Sequence, residues 1–151
     1  MSITFLTIKL LHILLAITAL GANLTYGVWI ARAKMHPEFA TVALRGVKFI
    51  DDWIANPAYL LLLPTGAAMV WLGGYSFGSR WIAWAMVLWV LAILAANFGY
   101  TPALAGEIRA IDRDGPNSPA AAAASKRGSI FAAILGVLVL AILVLMVFKP
   151  V

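Results

Sequence analysis

The chain has 151 residues, of which 64% are hydrophobic and 11% charged, with a formal charge of +5 and no cysteine. A water-soluble domain carries about 25% charged residues, so a chain this apolar is solvated mainly by lipid. The missing thiols exclude disulfides, thiolate metal sites and cysteine-ligated iron–sulfur clusters, and the length suits one domain over residues 1–151.

Four apolar stretches, residues 3–31, 57–75, 81–104 and 130–148, are long enough to cross ~30 Å of hydrocarbon, which takes about 20 helical residues. Backbone groups in lipid must be satisfied within each segment, so all four are expected to be helices. The predicted fold is all-α: an integral membrane four-helix bundle, with an amphipathic surface helix between the first two spans. The first stretch is too long for a secretory signal core and has no Lys or Arg before Lys9, so it is expected to remain as a span.

Within the first span, KLLHILLAITALGAN places a lysine, a histidine and an asparagine in an apolar run. At 100° per residue, His12 and Asn23 lie within about 20° of each other on the helical wheel. Ala16, Ala19 and Gly27 share that side, with Lys9 and Tyr26 at its edges, while Leu10, Leu14, Ile17, Leu24 and Val28 cover the other. Small residues allow close helix approach and polar ones face a bundle interior, so the His12 side should point inward. Lys9 can snorkel to the interface. An ionisable residue within a membrane is a functional hypothesis by default, and imidazole is a common metal and haem-iron ligand. His12 is therefore the candidate metal ligand, and His12, Asn23 and Tyr26 are the candidate cofactor-binding residues. A proton relay and a purely structural hydrogen bond are the other roles open to His12.

Residues 31–56 are long and charged. Phe39, Val42, Gly46, Ile50 and Trp53 recur at helical spacing and predict the apolar face of a helix lying on the membrane. His36, beside Pro37, is expected to be solvated. Pro57 suits a first helical turn, and Pro64–Thr65–Gly66 should kink or thin the second span and open space for a partner helix or a flat cofactor. GGYSFGSR reads as a tight turn. In the third span, Asn97 and Tyr100 form a second polar level with Asn23 and Tyr26. Residues 105–129, with their Pro, Gly and Ala tract, read as a mobile polar loop. Trp81 and Trp84 fit an interfacial belt. Met69, Met86 and Met146 fall in the outer halves of spans, where thioethers would suit Cu(I) or a second haem ligand; the plainer role is core filling.

Eight of the eleven basic residues lie in two stretches: Arg32, Lys34, Arg45 and Lys48, then Arg109, Arg113, Lys126 and Arg127. The positive-inside rule puts both stretches in the cytoplasm of a bacterial inner membrane and both termini outside. Membrane topology then accounts for the basic excess without nucleic acid. All six acidic residues are expected in loops or at helix ends, and there is no Ser–His–Asp set, HExxH or nucleotide-binding glycine motif.

IKLLHILLAITALGANLTYGVWIARA, a basic amphipathic segment and DDWIANPAYLLLLPTGAAMV together resemble a group of small membrane-protein families. These are the CopD-type copper-resistance domains, the HemJ-type protoporphyrinogen oxidases and predicted integral membrane proteins of unknown function. The chain looks most similar to the last, the domain of unknown function 2269. The closing VFKP is similar to the HemJ-type ending. That resemblance implies haem b on the helix 1 histidine, here His12; the HemJ type also carries a lysine in helix 3, where this chain has neither lysine nor histidine. The CopD-type resemblance implies copper handling, although no dense His/Met motif is present. The expected function is a b-type haem or related redox-cofactor site. The alternatives are a non-catalytic accessory subunit of a larger membrane complex and a copper-handling protein. The expected partners are lipids and a larger complex or further copies of the chain.

Overall fold

A computed structural model describes residues 2–150, and within them the chain is helical throughout, with turns and no strand. The helices are α1 (Ile3–Met35), α2 (Ala40–Ile50), α3 (Asn56–Leu72), α4 (Arg80–Ala95), α5 (Thr101–Asp114) and α6 (Pro119–Phe148). Five-residue π-helical turns, Asp51–Ala55 and Ala96–Tyr100, join α2 to α3 and α4 to α5. The polypeptide therefore makes four continuous helical passes, each long and apolar enough to cross a membrane.

Local chemistry explains the helix boundaries. Ser2 Oγ accepts from the Phe5 N–H at 3.2 Å and starts α1, and Arg32 and Lys34 stand in its last turn, where cations complement the helix dipole. Its 33 residues extend about 50 Å, beyond the hydrocarbon thickness of a bilayer. Leu72 ends α3 ahead of Gly73 and Gly74, the latter at φ 68°, so residues 73–79 form the expected turn.

The expected mobile loop at 105–129 is corrected. Helix α5 runs on to Asp114 and α6 begins at Pro119, leaving only residues 115–118 between them. Ser118 is a buried N-cap whose Oγ accepts from the Ala121 N–H at 3.3 Å, and Pro119 stands in the first turn. The alanine tract that follows is the best helix-forming composition available, so a cap, a proline and five alanines start α6 eleven residues ahead of the expected span at 130–148.

Helix α1 packs along α3, α4 packs along α6, and α5 continues that second pair against α6. The two pairs meet at the end of the bundle that carries α2 and residues 115–118. There Tyr26, Leu44, Val47, Ala55, Tyr100, Leu104 and Ile108 form one buried cluster drawn from α1, α2, both π turns and α5. Toward the opposite end, which carries both termini and the 73–79 turn, extensive packing runs within each pair only, among the described residues. A hydrogen bond from Trp89 Nε1 to the Tyr59 carbonyl at 3.3 Å crosses between the pairs. At the terminal end, Lys149 stands over Tyr75 and Trp81, 5.3 and 5.5 Å from their ring centroids.

The wheel drawn for the first span holds. Leu10, Leu14, Ile17, Leu24 and Val28 are exposed, and Ala19 and Tyr26 are buried. Lys9 and Gly27 are exposed as well, so the inward stripe is narrower than expected. On α2 two faces are distinguished, and the expected membrane-facing one is the one that points away from the bundle. Phe39, Val42 and Trp53 point outward, at 62%, 72% and 72% exposure, while Ala40, Leu44, Val47 and Asp51 pack inward. Both faces of this segment are apolar enough to be buried, and spacing alone does not distinguish the one that meets protein from the one that meets lipid.

Candidate functional site

Polar side chains are distributed along the seam between α1 and α3 at two levels. The first is near the terminal end. His12 Nδ1 lies 2.8 Å from Thr65 Oγ1. Thr65 Oγ1 also lies 2.7 Å from the Leu61 carbonyl, an acceptor with no hydrogen of its own. The hydroxyl has a single proton, and a 2.7 Å oxygen–oxygen contact requires it. Thr65 therefore donates to Leu61 and accepts from His12 Nδ1–H, an assignment that leaves the Nε2 lone pair free. The Thr65 hydroxyl thus takes the ring N–H and passes the bond on to a backbone carbonyl.

Gly66 completes this level. A Cβ at this position would lie 3.3 Å from His12 Cε1, so the missing side chain is what lets the ring rest against α3. The hydrogen-bonded helix continues through Pro64, and the expected thinning of the second span is used by the histidine itself. Ala16, half-buried, and Ala19, buried, lie below His12 on the same stripe. Among the methionines, Met69 is half-buried, whereas Met86 and Met146 are exposed at 43% and 37%. Among the described residues no group of three His, Asp or Glu side chains converges as a metal site.

The second level lies about 16 Å further along α1, at 1.5 Å per residue from His12 to Asn23. Asn23 Nδ2 donates to Tyr59 on α3 and to the Ala19 carbonyl, both at 2.9 Å. Tyr26 stacks on Tyr100, with centroids 6.4 Å apart and planes 5° from parallel. Asn97, expected to belong here, is exposed and bonds the Ile93 carbonyl of its own helix.

Asp51 is the residue whose placement departs most from expectation. It was assigned to a loop or helix end; it stands inside a continuous helical pass and is only 6% exposed. Its Oδ2 accepts from Asn56 Nδ2 at 3.3 Å and from Thr101 Oγ1 at 3.4 Å, so it ties one pass to the other. The reason is the pair of π turns. Asn56 N–H bonds the Asp51 carbonyl and Thr101 N–H bonds the Ala96 carbonyl, each five residues back. Each is followed by proline, Pro57 or Pro102, which has no N–H to offer the carbonyl four residues earlier. For Pro102 that carbonyl belongs to Phe98, and Arg127 donates to it from α6 at 3.3 Å. The turns rotate Asp51 and Tyr100 into the bundle. The two dipeptides Asn56–Pro57 and Thr101–Pro102 were the available sequence signal.

Charge at this level is uneven. Lys48 Nζ is held by both carboxylate oxygens of Asp52, at 2.7 and 2.6 Å, and Arg45 pairs with Asp112 at 2.7 Å. Asp51 has no ion-pair partner among the described residues. The Tyr26 and Tyr100 hydroxyls are buried with no hydrogen-bond partner. His36 is exposed, as expected, 3.3 Å from Glu38.

A family model described as predicted integral membrane protein (DUF2269) matches residues 6–150. No curated protein and no solved structure matches the chain.

Proposed function

The chain belongs to the predicted integral membrane protein family DUF2269, and from that premise we propose that it holds a redox cofactor, a b-type haem, whose iron His12 would ligate. The observation that carries this reading is the His12–Thr65–Leu61 hydrogen-bond chain. It commits Nδ1–H and leaves Nε2 as the ligating atom, and a ligating imidazole normally donates its other N–H to an oxygen in this way. A lone imidazole suits a haem better than an ion held by side chains alone, because the porphyrin supplies the other in-plane ligands. When bound, such a group supplies one-electron chemistry; the chain's own part is to hold and orient the imidazole. Asn23 supports the same α1–α3 seam from the second level, and Tyr26 packs beyond it against Tyr100. On this reading the protein sits in a bacterial inner membrane and serves electron transfer or haem-linked oxidation.

Expression with ample haem supply, followed by visible spectra of the wild type and His12→Ala, tests the proposal. A Soret band in the wild type that is lost or shifted in the variant is the expected result. A wild type without the band, or a variant with the same spectrum, refutes it, and copper analysis of the same preparation tests the CopD-like alternative.

A second reading has its own support. Among the described residues the two helix pairs pack extensively on one another at one end, and the apolar faces between them toward the terminal end could receive a helix from a larger complex. A colourless, metal-free protein that co-purifies with a membrane complex in defined stoichiometry would favour that accessory role.

A further inference from the structure

We propose that Asp51 anchors an internal site for a small exchangeable monovalent cation, a sodium ion or a proton, between the two π turns. This inference is independent of any cofactor at His12.

The first support is charge. Lys48 stands one turn before the adjacent Asp51 and Asp52, and the only cation of the three is already held by both oxygens of Asp52. The trio carries a net charge of −1, and the unneutralised member is the one buried to 6% exposure. Asn56 and Thr101 contribute dipoles but no charge, through long bonds to a single oxygen, Oδ2. A carboxylate removed from water without a counter-charge is costly, and the cost is relieved by a cation or by protonation.

The second support is independent of charge. The Tyr26 and Tyr100 hydroxyls are unpartnered in residues only 3% and 5% exposed. The Tyr26 hydroxyl neighbours the Asp51 carboxyl, and the Tyr100 ring stacks on that of Tyr26. Buried polar atoms are rarely left alone, and two of them next to an unpaired carboxylate indicate that something polar stands between. Oxygens converge there from α1, from the pass through α2 and α3, and from the pass through α4 and α5. A single carboxylate with neutral hydroxyl oxygens suits a monovalent ion, whereas divalent ions recruit several carboxylates. Irregular helical turns are also where membrane proteins place such ions, because they present oxygens that a regular helix keeps paired.

The titratable and charged groups around Asp51 are Lys48 and Asp52 on its own helix, Tyr59 on α3, Tyr26 on α1, and Tyr100 on the pass through α4 and α5, with Glu107 beyond it beside Tyr100. Both cations act on the same carboxylate, so sodium should substitute for the proton as pH rises. With no sodium, stability is held while Asp51 is neutral and falls as rising pH removes its proton.

The test is thermal unfolding of the full chain in detergent, in sodium chloride against choline chloride at equal ionic strength, from acid to mildly alkaline pH. The expected result is a wild type that loses stability as pH rises in choline and regains it with sodium. Asp51→Asn, neutral at every pH, should show neither response, and Asp52→Asn, which frees Lys48 to neutralise Asp51, should weaken both. Rescue by sodium identifies the ion. A pH response confined to Asp51 that sodium does not alter identifies the proton as sole occupant. Tyr26→Phe and Tyr100→Phe keep the carboxylate and serve if Asp51→Asn fails to fold; each should weaken the apparent sodium affinity or shift the pH midpoint, by roughly tenfold or one pH unit. Responses to sodium and pH that are the same in the wild type and Asp51→Asn, or in the wild type and both tyrosine variants, overturn the proposal.

Discussion

His12 on α1 and Thr65 on α3 meet at 2.8 Å, 53 residues apart in sequence, and the threonine carries the bond on to the Leu61 carbonyl. Thr65→Val removes the acceptor and keeps the shape, so the His12 N–H loses its partner. Interhelical hydrogen bonds within membranes average about 0.6 kcal/mol, and a loss of that order is expected in reversible unfolding. Thr65→Ser should restore it. Equal stability of the wild type and Thr65→Val, together with an unchanged imidazole NMR signal, would show that the contact does not orient the ring.

Asn23 joins the same two helices lower down. Its amide donates to Tyr59 and to Ala19, so Asn23→Leu strips Tyr59 of a donor and should cost on the order of 1 kcal/mol. A double-mutant cycle with Tyr59→Phe measures the pair directly. Strict additivity of the two substitutions would show that the hydrogen bond contributes nothing of its own.

Two glycines should respond in opposite ways to alanine. A Cβ on Gly99 would overlap the Phe131 ring, so Gly99→Ala must displace α6 or rotate that ring, at a cost of about 1–3 kcal/mol. Gly136 has open space at the same position, and Gly136→Ala should be neutral or gain up to about 1 kcal/mol from helix propensity. Denaturant titrations of the two variants side by side decide the point; a tolerant Gly99 would mean that the α6 contact is loose.

The chain has no cysteine, which makes topology accessible to single labels. Asn117 and Ser76 are exposed at opposite ends of the bundle, one beside the basic stretches and one in the 73–79 turn. Cysteines placed there should react with an impermeant reagent from opposite sides of the membrane, Asn117→Cys only after the cytoplasmic face is opened. Labelling of Asn117→Cys in intact cells would reverse the proposed orientation.

Leu44 and Val47 are the largest fully buried side chains and hold α2 in the shared cluster. Leu44→Ala should lower stability by about 2–4 kcal/mol through lost contacts and an unfilled cavity. Val42→Ala, on the outward face of the same helix, should change it far less. Similar effects from both would place the packed face of α2 elsewhere.

The amino-acid sequence by itself determined the four helical passes, because bilayer thickness and the need to satisfy every backbone group leave few other structures for apolar runs of this length. It also determined which side of α1 turns inward, since the 3.6-residue period separates His12, Ala19 and Asn23 from Leu10, Ile17 and Leu24 without reference to any partner. Tertiary structure decided the rest. That Thr65 and Gly66 receive His12, that Tyr59 receives Asn23, and that Leu44 rather than Phe39 faces protein all depend on how whole helices rotate and pair. Spacing along one helix does not encode that. Asp51 shows the same limit at a single residue: its charge reads as a loop, but two π turns and the packing of two passes enclose it. Asn56, five residues on, supplies one of its hydrogen bonds, but Thr101 and the buried surroundings come from the other pass, 50 residues away.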